Sequence, residues 1–236
     1  MNQKAHLMVQ QADSSDDSSI SAESNDVSAE ADDQTVMIAS FQATQGDHDD
    51  GKAPGIILHN KSKTRCSYFF FDNYWNGNGT AGANFDKPLK SVEIPGGGTA
   101  FVSLPLSFKG RVQRGKLIPA TWVEFQLKAS NDGAAHGDVS VQQGNDGPAT
   151  ITSADADHHT GGFTEFINLR PFPGAHVKRS DGVDVIASTV GNWMGGPNQA
   201  AIDLQKAAIG SRAYVVGGTG VPDVASHNNR FVVDFY

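Results

Sequence analysis

Cysteine is almost absent from this chain: Cys66 stands alone among 236 residues. No intramolecular disulfide can form, so the fold must be held by its hydrophobic core, which a body of roughly 180 residues can supply. A lone thiol also fits a reducing compartment, and Cys66 itself reads as a small buried strand residue. Long apolar runs are missing too. Nothing approaches the roughly 20 apolar residues of a spanning helix, and the N-terminus lacks the apolar core of a secretory signal, its longest such run being Leu7–Val9. Cysteine usage and the missing signal suggest a cytoplasmic protein, with export by an unconventional route, or a sequence that is not the full precursor, as the open alternatives. Basic residues are absent where acids are dense: between Ala5 and Gly51 there are 11 acids and no Lys or Arg. From Lys52 to Tyr236 the chain carries 15 acids and 17 bases, so the net charge of −8 belongs to the N-terminal segment. No basic stripe with interleaved aromatics is present, which argues against a nucleic-acid partner. A membrane partner is not expected either.

Residues 1–34 are rich in Ser, Asp, Glu, Gln and Ala. They cannot bury enough apolar area to offset their ordering entropy, so disorder is expected. Thr35–Phe41 is a short apolar island, and Gly46–Gly55 reads as a linker from its Gly, Asp and Pro. The predicted organisation is an acidic, largely disordered tail and linker over 1–53, followed by one domain over 54–236.

From Gly55 onward the pattern is mainly β. Candidate strands are Ile56–His59, Arg65–Phe71, Val92–Ile94, Thr99–Leu104, Arg111–Arg114, Thr121–Leu127, Asp138–Gln142, Phe163–Leu169, Val183–Ser188, Arg212–Val216 and Arg230–Phe235. Their spacing of about ten residues, with Gly-rich turns, points to an antiparallel sandwich or barrel. One segment differs. Pro197–Ile209 places Ala201, Leu204 and Ala208 at helical spacing, with Pro197 at its start and Gly210 as a stop, and is the one predicted helix.

Thr121–Leu127 puts Val123, Phe125 and Leu127 on one face and Trp122, Glu124 and Gln126 on the other. Asp138–Gln142 sets Val139 and Val141 against Asp138, Ser140 and Gln142. If the two strands form a hairpin, Glu124 and Asp138 share the polar face. Opposed residues then lie about 5 Å apart and diagonal ones about 7–8 Å. Retaining glycosidases need carboxyls about 5 Å apart and inverting ones about 6.5–9.5 Å, so spacing alone leaves both open, alongside a solvated sheet face with no chemistry. Tyr74 and Trp75, in the loop-like DNYWNGNG, are candidates for stacking on sugar faces, and Trp193 is similar. Asp155, Asp157, His158 and His159 have metal-capable chemistry without defined ligand spacing, and no metal is expected there. Asn60-Lys-Ser62 and Asn78-Gly-Thr80 are glycosylation sequons that matter only on a secretory route.

The ordered series IILHNKSKTRCSYFFF, SVEIPGGGTAFVSLP, GRVQRG, ATWVEFQL and GDVSVQQG, closed by RFVVDFY, resembles the thaumatin-like proteins. The similarity is strongest over Gly55–Ile151. Familiar members are secreted and dense in disulfides, so this chain looks like a divergent, disulfide-free relative whose region Ser153–Asn198 is built differently. The resemblance implies a β-sandwich with an acidic cleft that binds β-1,3-glucan, in some members with weak hydrolysis. It also implies a secreted or cell-wall setting, against the cytoplasmic reading above. Carried over position by position, the cleft Arg falls on Arg114, the Glu on Glu124 and the first Asp on Asp138. The next acid falls on Gln143, with Asp146 nearby but off register, and the last has Asp223 as its closest candidate. Glu124 and Asp138 are thus the expected catalytic pair, and Arg114, Gln143, Tyr74, Trp75 and Asp223 the expected substrate-binding set. Gln143 in place of an acid shifts the expectation toward binding rather than cleavage, with no cofactor. The competing expectation is a non-enzymatic interaction protein, using the β-sandwich as a scaffold and the acidic tail for docking or solubility. A capsid-like sandwich with a mobile arm is a weaker third, because such an arm is usually basic.

Overall fold

The structure is a computed structural model and describes residues 45–72, 87–190, 197–217 and 223–236. Thirteen strands are present among these residues: β1 Gly55–Asn60, β2 Cys66–Asp72, β3 Lys90–Ile94, β4 Thr99–Ser103, β5 Lys109–Arg114, β6 Trp122–Gln126, β7 Ala135–Ser140, β8 Ala149–Ser153, β9 Thr160–Phe163, β10 His176–Lys178, β11 Asp184–Ile186, β12 Val224–Ser226 and β13 Arg230–Phe235. The one helix among them, α1, spans Gln199–Ile209. The acidic tail, the Thr35–Phe41 island, Tyr74, Trp75, Asn78 and Trp193 lie outside the described residues.

The strands form a six-stranded sheet in the order β12-β7-β6-β5-β2-β3 and a five-stranded sheet in the order β4-β1-β13-β8-β9. β10 and β11 make a separate hairpin. Pairing is antiparallel except between β1 and β13, which run parallel and bring the chain's last strand beside its first. Neither sheet closes into a barrel.

Alternation explains the core. Tyr68 and Phe70 of β2, Val112 of β5, Val123 and Phe125 of β6, and Val139 of β7 leave the six-stranded sheet on one face. They meet Ile56, Leu58, Ile151, Phe231, Val233 and Phe235 of the other sheet in one buried cluster. The rings of Tyr68 and Phe235 lie 5.0 Å apart, and those of Phe125 and Phe231 6.2 Å apart edge to face. Burying a large side chain of this kind contributes about 1.5–3 kcal/mol, which removes the need for disulfides.

A second, smaller cluster joins Ala201 and Leu204 of α1 to Ala175, Ile186 and Ala187 around the β10–β11 hairpin. α1 starts two residues later than Pro197, because Asn198 is the cap: its side-chain oxygen accepts from the Ala201 N–H at 2.9 Å. Gly210 ends the helix at φ 65°, a backbone conformation that favours glycine.

The segment expected as a linker is fastened to the domain from Asp47 onward. The Asp47 N–H donates to the Phe101 carbonyl at 2.7 Å, and its carboxylate pairs with Lys90. Buried Arg230 grips both oxygens of Asp49 at 2.8 Å. The Asn60 sequon is structural. Asn60 is fully buried, and its side-chain amide donates to the carbonyls of Thr64, Ile94 and Pro95. Cys66 is half-buried on β2, and burial pushes its thiol pKa up, as expected of a packing residue rather than a reactive one.

The sequence placed three strands imperfectly. Phe163–Leu169 is extended only up to Phe163, with β9 occupying the Gly-rich Thr160–Phe163 instead. Arg212–Val216 forms no strand; only Tyr214 bridges, in parallel, to Ser140. Asp138–Gln142 is paired three residues earlier, over Ala135–Ser140.

Candidate functional site

The polar face of the six-stranded sheet carries a row set by strand register. Phe71 on β2 opposes Arg111 on β5, Arg111 opposes Glu124 on β6, and Glu124 opposes Asp138 on β7. The two carboxylates are therefore direct cross-strand neighbours, in the closer of the two arrangements that the sequence left open. They border a cavity of about 510 Å³, with Gln126, His136, Gln142, Tyr214 and Asp223 among its walls. That volume lies within the roughly 300–1,000 Å³ usual for small-molecule sites.

Each wall has a structural cause. Tyr214 is laid along β7 by two backbone bonds, its N–H to the Val139 carbonyl and the Val141 N–H to its own carbonyl, both 2.8 Å. Asp223 immediately precedes β12, whose pairing with β7 aligns Val224 with Gly137 and Ala225 with His136. That register brings Asp223 to the cavity edge. His136 Nδ1 and Nε2 lie 2.6 Å from Asp223 and 2.8 Å from Asp132. Both ring nitrogens face carboxylates, so the doubly protonated imidazolium satisfies both bonds. Burial alone would lower the His136 pKa; its hydrogen bonds to Asp223 and Asp132 and their charges outweigh that and raise it.

Arg111 anchors the far side of the row. It is 1% exposed, and its guanidinium is stacked 4.1 Å from the Phe71 ring centre and 4.0 Å from that of Trp122. Nε donates to the Gln113 side-chain oxygen at 3.0 Å. Burial pulls its pKa down to about 9, with the Glu124 charge opposing, so it stays cationic at neutral pH.

The acids respond to these surroundings. Burial pushes the Glu124 carboxyl up to about 7, against a hydrogen bond with Ser140 and the Arg111 charge. Asp138 is pushed well above the usual carboxylate range by burial, then by the charges of Glu124 and Asp223. Asp138 Oδ1 is buried without a hydrogen-bond partner. Burial, followed by the charges of Asp138, Asp223 and Glu124, also raises the Tyr214 phenol. Near neutral pH the two facing carboxyls are thus placed to hold a proton between them, as like charges at close range do.

Of the residues singled out from sequence, Glu124, Asp138 and Asp223 come together at this cavity. Arg114 does not. It lies an odd number of residues from Arg111, so it leaves β5 on the opposite face, with Val112. There its guanidinium bonds the Asp146 carbonyl at 3.0 Å, the Asp146 carboxylate at 3.2 Å and the Tyr236 carbonyl at 3.0 Å. The cation beside Glu124 is Arg111, and alternation along β5 was the signal that distinguishes the two. Gln143 is also displaced: it is buried, 3% exposed, and the neighbouring Gln142 lines the cavity instead. Asp146 is buried between Arg114 and Arg179 as a structural ion pair. For His136 the sequence signal was its place two residues from Asp138, weighed against an exposed turn histidine; Tyr214 lay in a segment expected as a strand, and partners distant in sequence bring it to the cavity.

One group among the described residues has the chemistry of a metal site. Asp155, Asp157 and His227 each bring a ligand-capable atom within 4.8 Å of the others. Both Asp155 oxygens already accept backbone N–H groups, from Asp157 at 3.2 Å and His227 at 2.7 Å. These bonds tie the β8–β9 and β12–β13 turns together. No described helix is long and apolar enough to cross a membrane.

Comparison of the chain with protein-family models and with curated protein sequences finds no match in either.

Proposed function

We propose that this protein binds a β-linked polysaccharide of the β-1,3-glucan type in the cavity around Glu124 and Asp138, with at most weak hydrolysis. We further propose that its two sheets form a thaumatin-like sandwich without disulfides. The observation that carries the reading is the direct register of Glu124 and Asp138 at a cavity large enough for a ligand. Gln126, Gln142, Tyr214 and Asp223 supply the mixture of donors, acceptors and ring surface that sugar hydroxyls and faces require.

Cleavage needs more than binding. A retaining mechanism uses carboxyls about 5–5.5 Å apart, one protonated and one ionised. The register favours that spacing, and a Glu124 pKa of about 7 favours a proton donor. The second acid is raised as well, so no carboxylate of the pair stands ready as a fully ionised nucleophile. This supports slow turnover at best.

The test is retention on insoluble β-1,3-glucan, together with measurement of released reducing ends. The wild-type chain is retained, and Glu124→Gln and Asp138→Asn each weaken retention severalfold. Equal retention of both variants would remove the cavity assignment. Absence of any retention would favour the non-enzymatic scaffold.

A further inference from the structure

The chemistry around the cavity is one-sided. Glu124, Asp138 and Asp223 border it, and among the described residues no Lys or Arg does. Arg111 is stacked behind Glu124 between two rings. His136 turns both ring nitrogens to Asp223 and Asp132. With the proton held between Glu124 and Asp138, that pair carries one negative charge; Arg111 and His136 balance it and the charge on Asp223, and Asp132 leaves one negative charge over.

Asp138 adds an independent sign of what is missing. Its Oδ1 atom is buried and has no partner. Once the pair gives up its shared proton, this oxygen only accepts hydrogen bonds, so the group it then lacks is a donor. A sugar hydroxyl offers one proton and no charge. An ammonium group offers three, and its charge-assisted bonds are roughly twice as strong.

Building on the carbohydrate reading above, we infer that the preferred ligand is an oligosaccharide with free amines, a β-linked glucosamine chain, its ammonium received by Asp138 with Glu124 and Asp223 alongside. The elevated carboxyls agree with this. The ammonium takes the place of the proton held by Glu124 and Asp138, so binding releases a proton. The groups that set this balance are Arg111 on β5, Tyr214 alongside β7, His136 on β7 and Asp223 before β12.

The experiment is calorimetric titration of the full chain at low salt with three trisaccharides: β-linked glucosamine, its N-acetylated counterpart, and β-1,3-glucan. The amine form binds about tenfold more tightly than either neutral sugar, and added salt shrinks the difference. Asp138→Asn and Asp223→Asn each bring the ratio of amine to neutral affinity toward one. Asp223 is at the exposed rim, so its variant remains informative if Asp138→Asn fails to fold. Equal or tighter binding of the glucan trisaccharide overturns this inference and leaves the glucan reading standing. Binding of none of the three overturns both. An amine preference that survives both substitutions also overturns the inference, because the attraction then lies elsewhere on an acidic protein.

Discussion

Glu124 and Asp138 face each other across β6 and β7, two carboxyls where a sheet more often pairs a charge with its opposite. The cost of that arrangement depends on pH. Between them the two groups hold a proton in the folded state that the unfolded chain releases, so stability falls as pH rises from the ordinary Glu value of 4.5 through about 7. His136 acts in the same sense. Its raised pKa contributes stability below its ordinary 6.5, and that contribution is lost as pH rises through the folded value. Glu124→Gln should therefore stabilise the protein by on the order of 2 kcal/mol near about pH 8 and change little near about pH 4. Urea unfolding at both pH values checks this; equal destabilisation at both would contradict it.

Arg111 carries the opposite risk. Removing it empties the slot between Phe71 and Trp122 and strips Glu124 of its nearest cation. Arg111→Ala should cost about 3 kcal/mol or more, and Arg111→Lys should recover only part, because an ammonium cannot stack as a plane. Unfolding measurements give the loss. NMR titration of Glu124 should show its pKa moving further up.

Arg114 separates structure from binding. Its three bonds to Asp146 and Tyr236 lie on the other face of β5 from the carboxylate pair. Arg114→Ala should lower stability by about 1–3 kcal/mol and leave glucan retention unchanged. Lost retention in a variant that remains folded would return Arg114 to the binding set.

Gly137 is the hinge of the packing beneath the site. A Cβ there would come within 2.6 Å of Ile151 Cδ1 and 2.9 Å of Phe125 Cβ. Gly137→Ala should destabilise by about 1–3 kcal/mol through overpacking. It should also displace Asp138, its neighbour in sequence, and so weaken ligand retention. Thermal unfolding and glucan pull-down of the same variant test both parts.

Much of this was legible before the structure. Alternation placed Val123 and Phe125 inward and Glu124 outward, because a strand repeats every two residues. The closing strand Arg230–Phe235 and the helix ending at Gly210 were equally plain. What sequence could not supply is register over long range. Asp223 reaches the cavity only because β12 pairs with β7, 87 residues earlier, and Tyr214 only because its backbone bridges to Ser140. Short strands of small or glycine-rich composition, such as β9, lack the apolar alternation that would reveal them. Arg114 was misplaced for a simpler reason: matching by order along the chain ignored which face of β5 each residue occupies.

The most direct measurement of the central claim is a backbone NMR titration of the full chain with a β-1,3-glucan oligosaccharide, which detects weak binding as well as tight. The cavity assignment predicts saturable shifts at Glu124, Gln126, His136, Asp138 and Tyr214. Shifts confined to the separate cavity near Lys61, Cys66 and Arg114, or no saturable shifts at all, would contradict it.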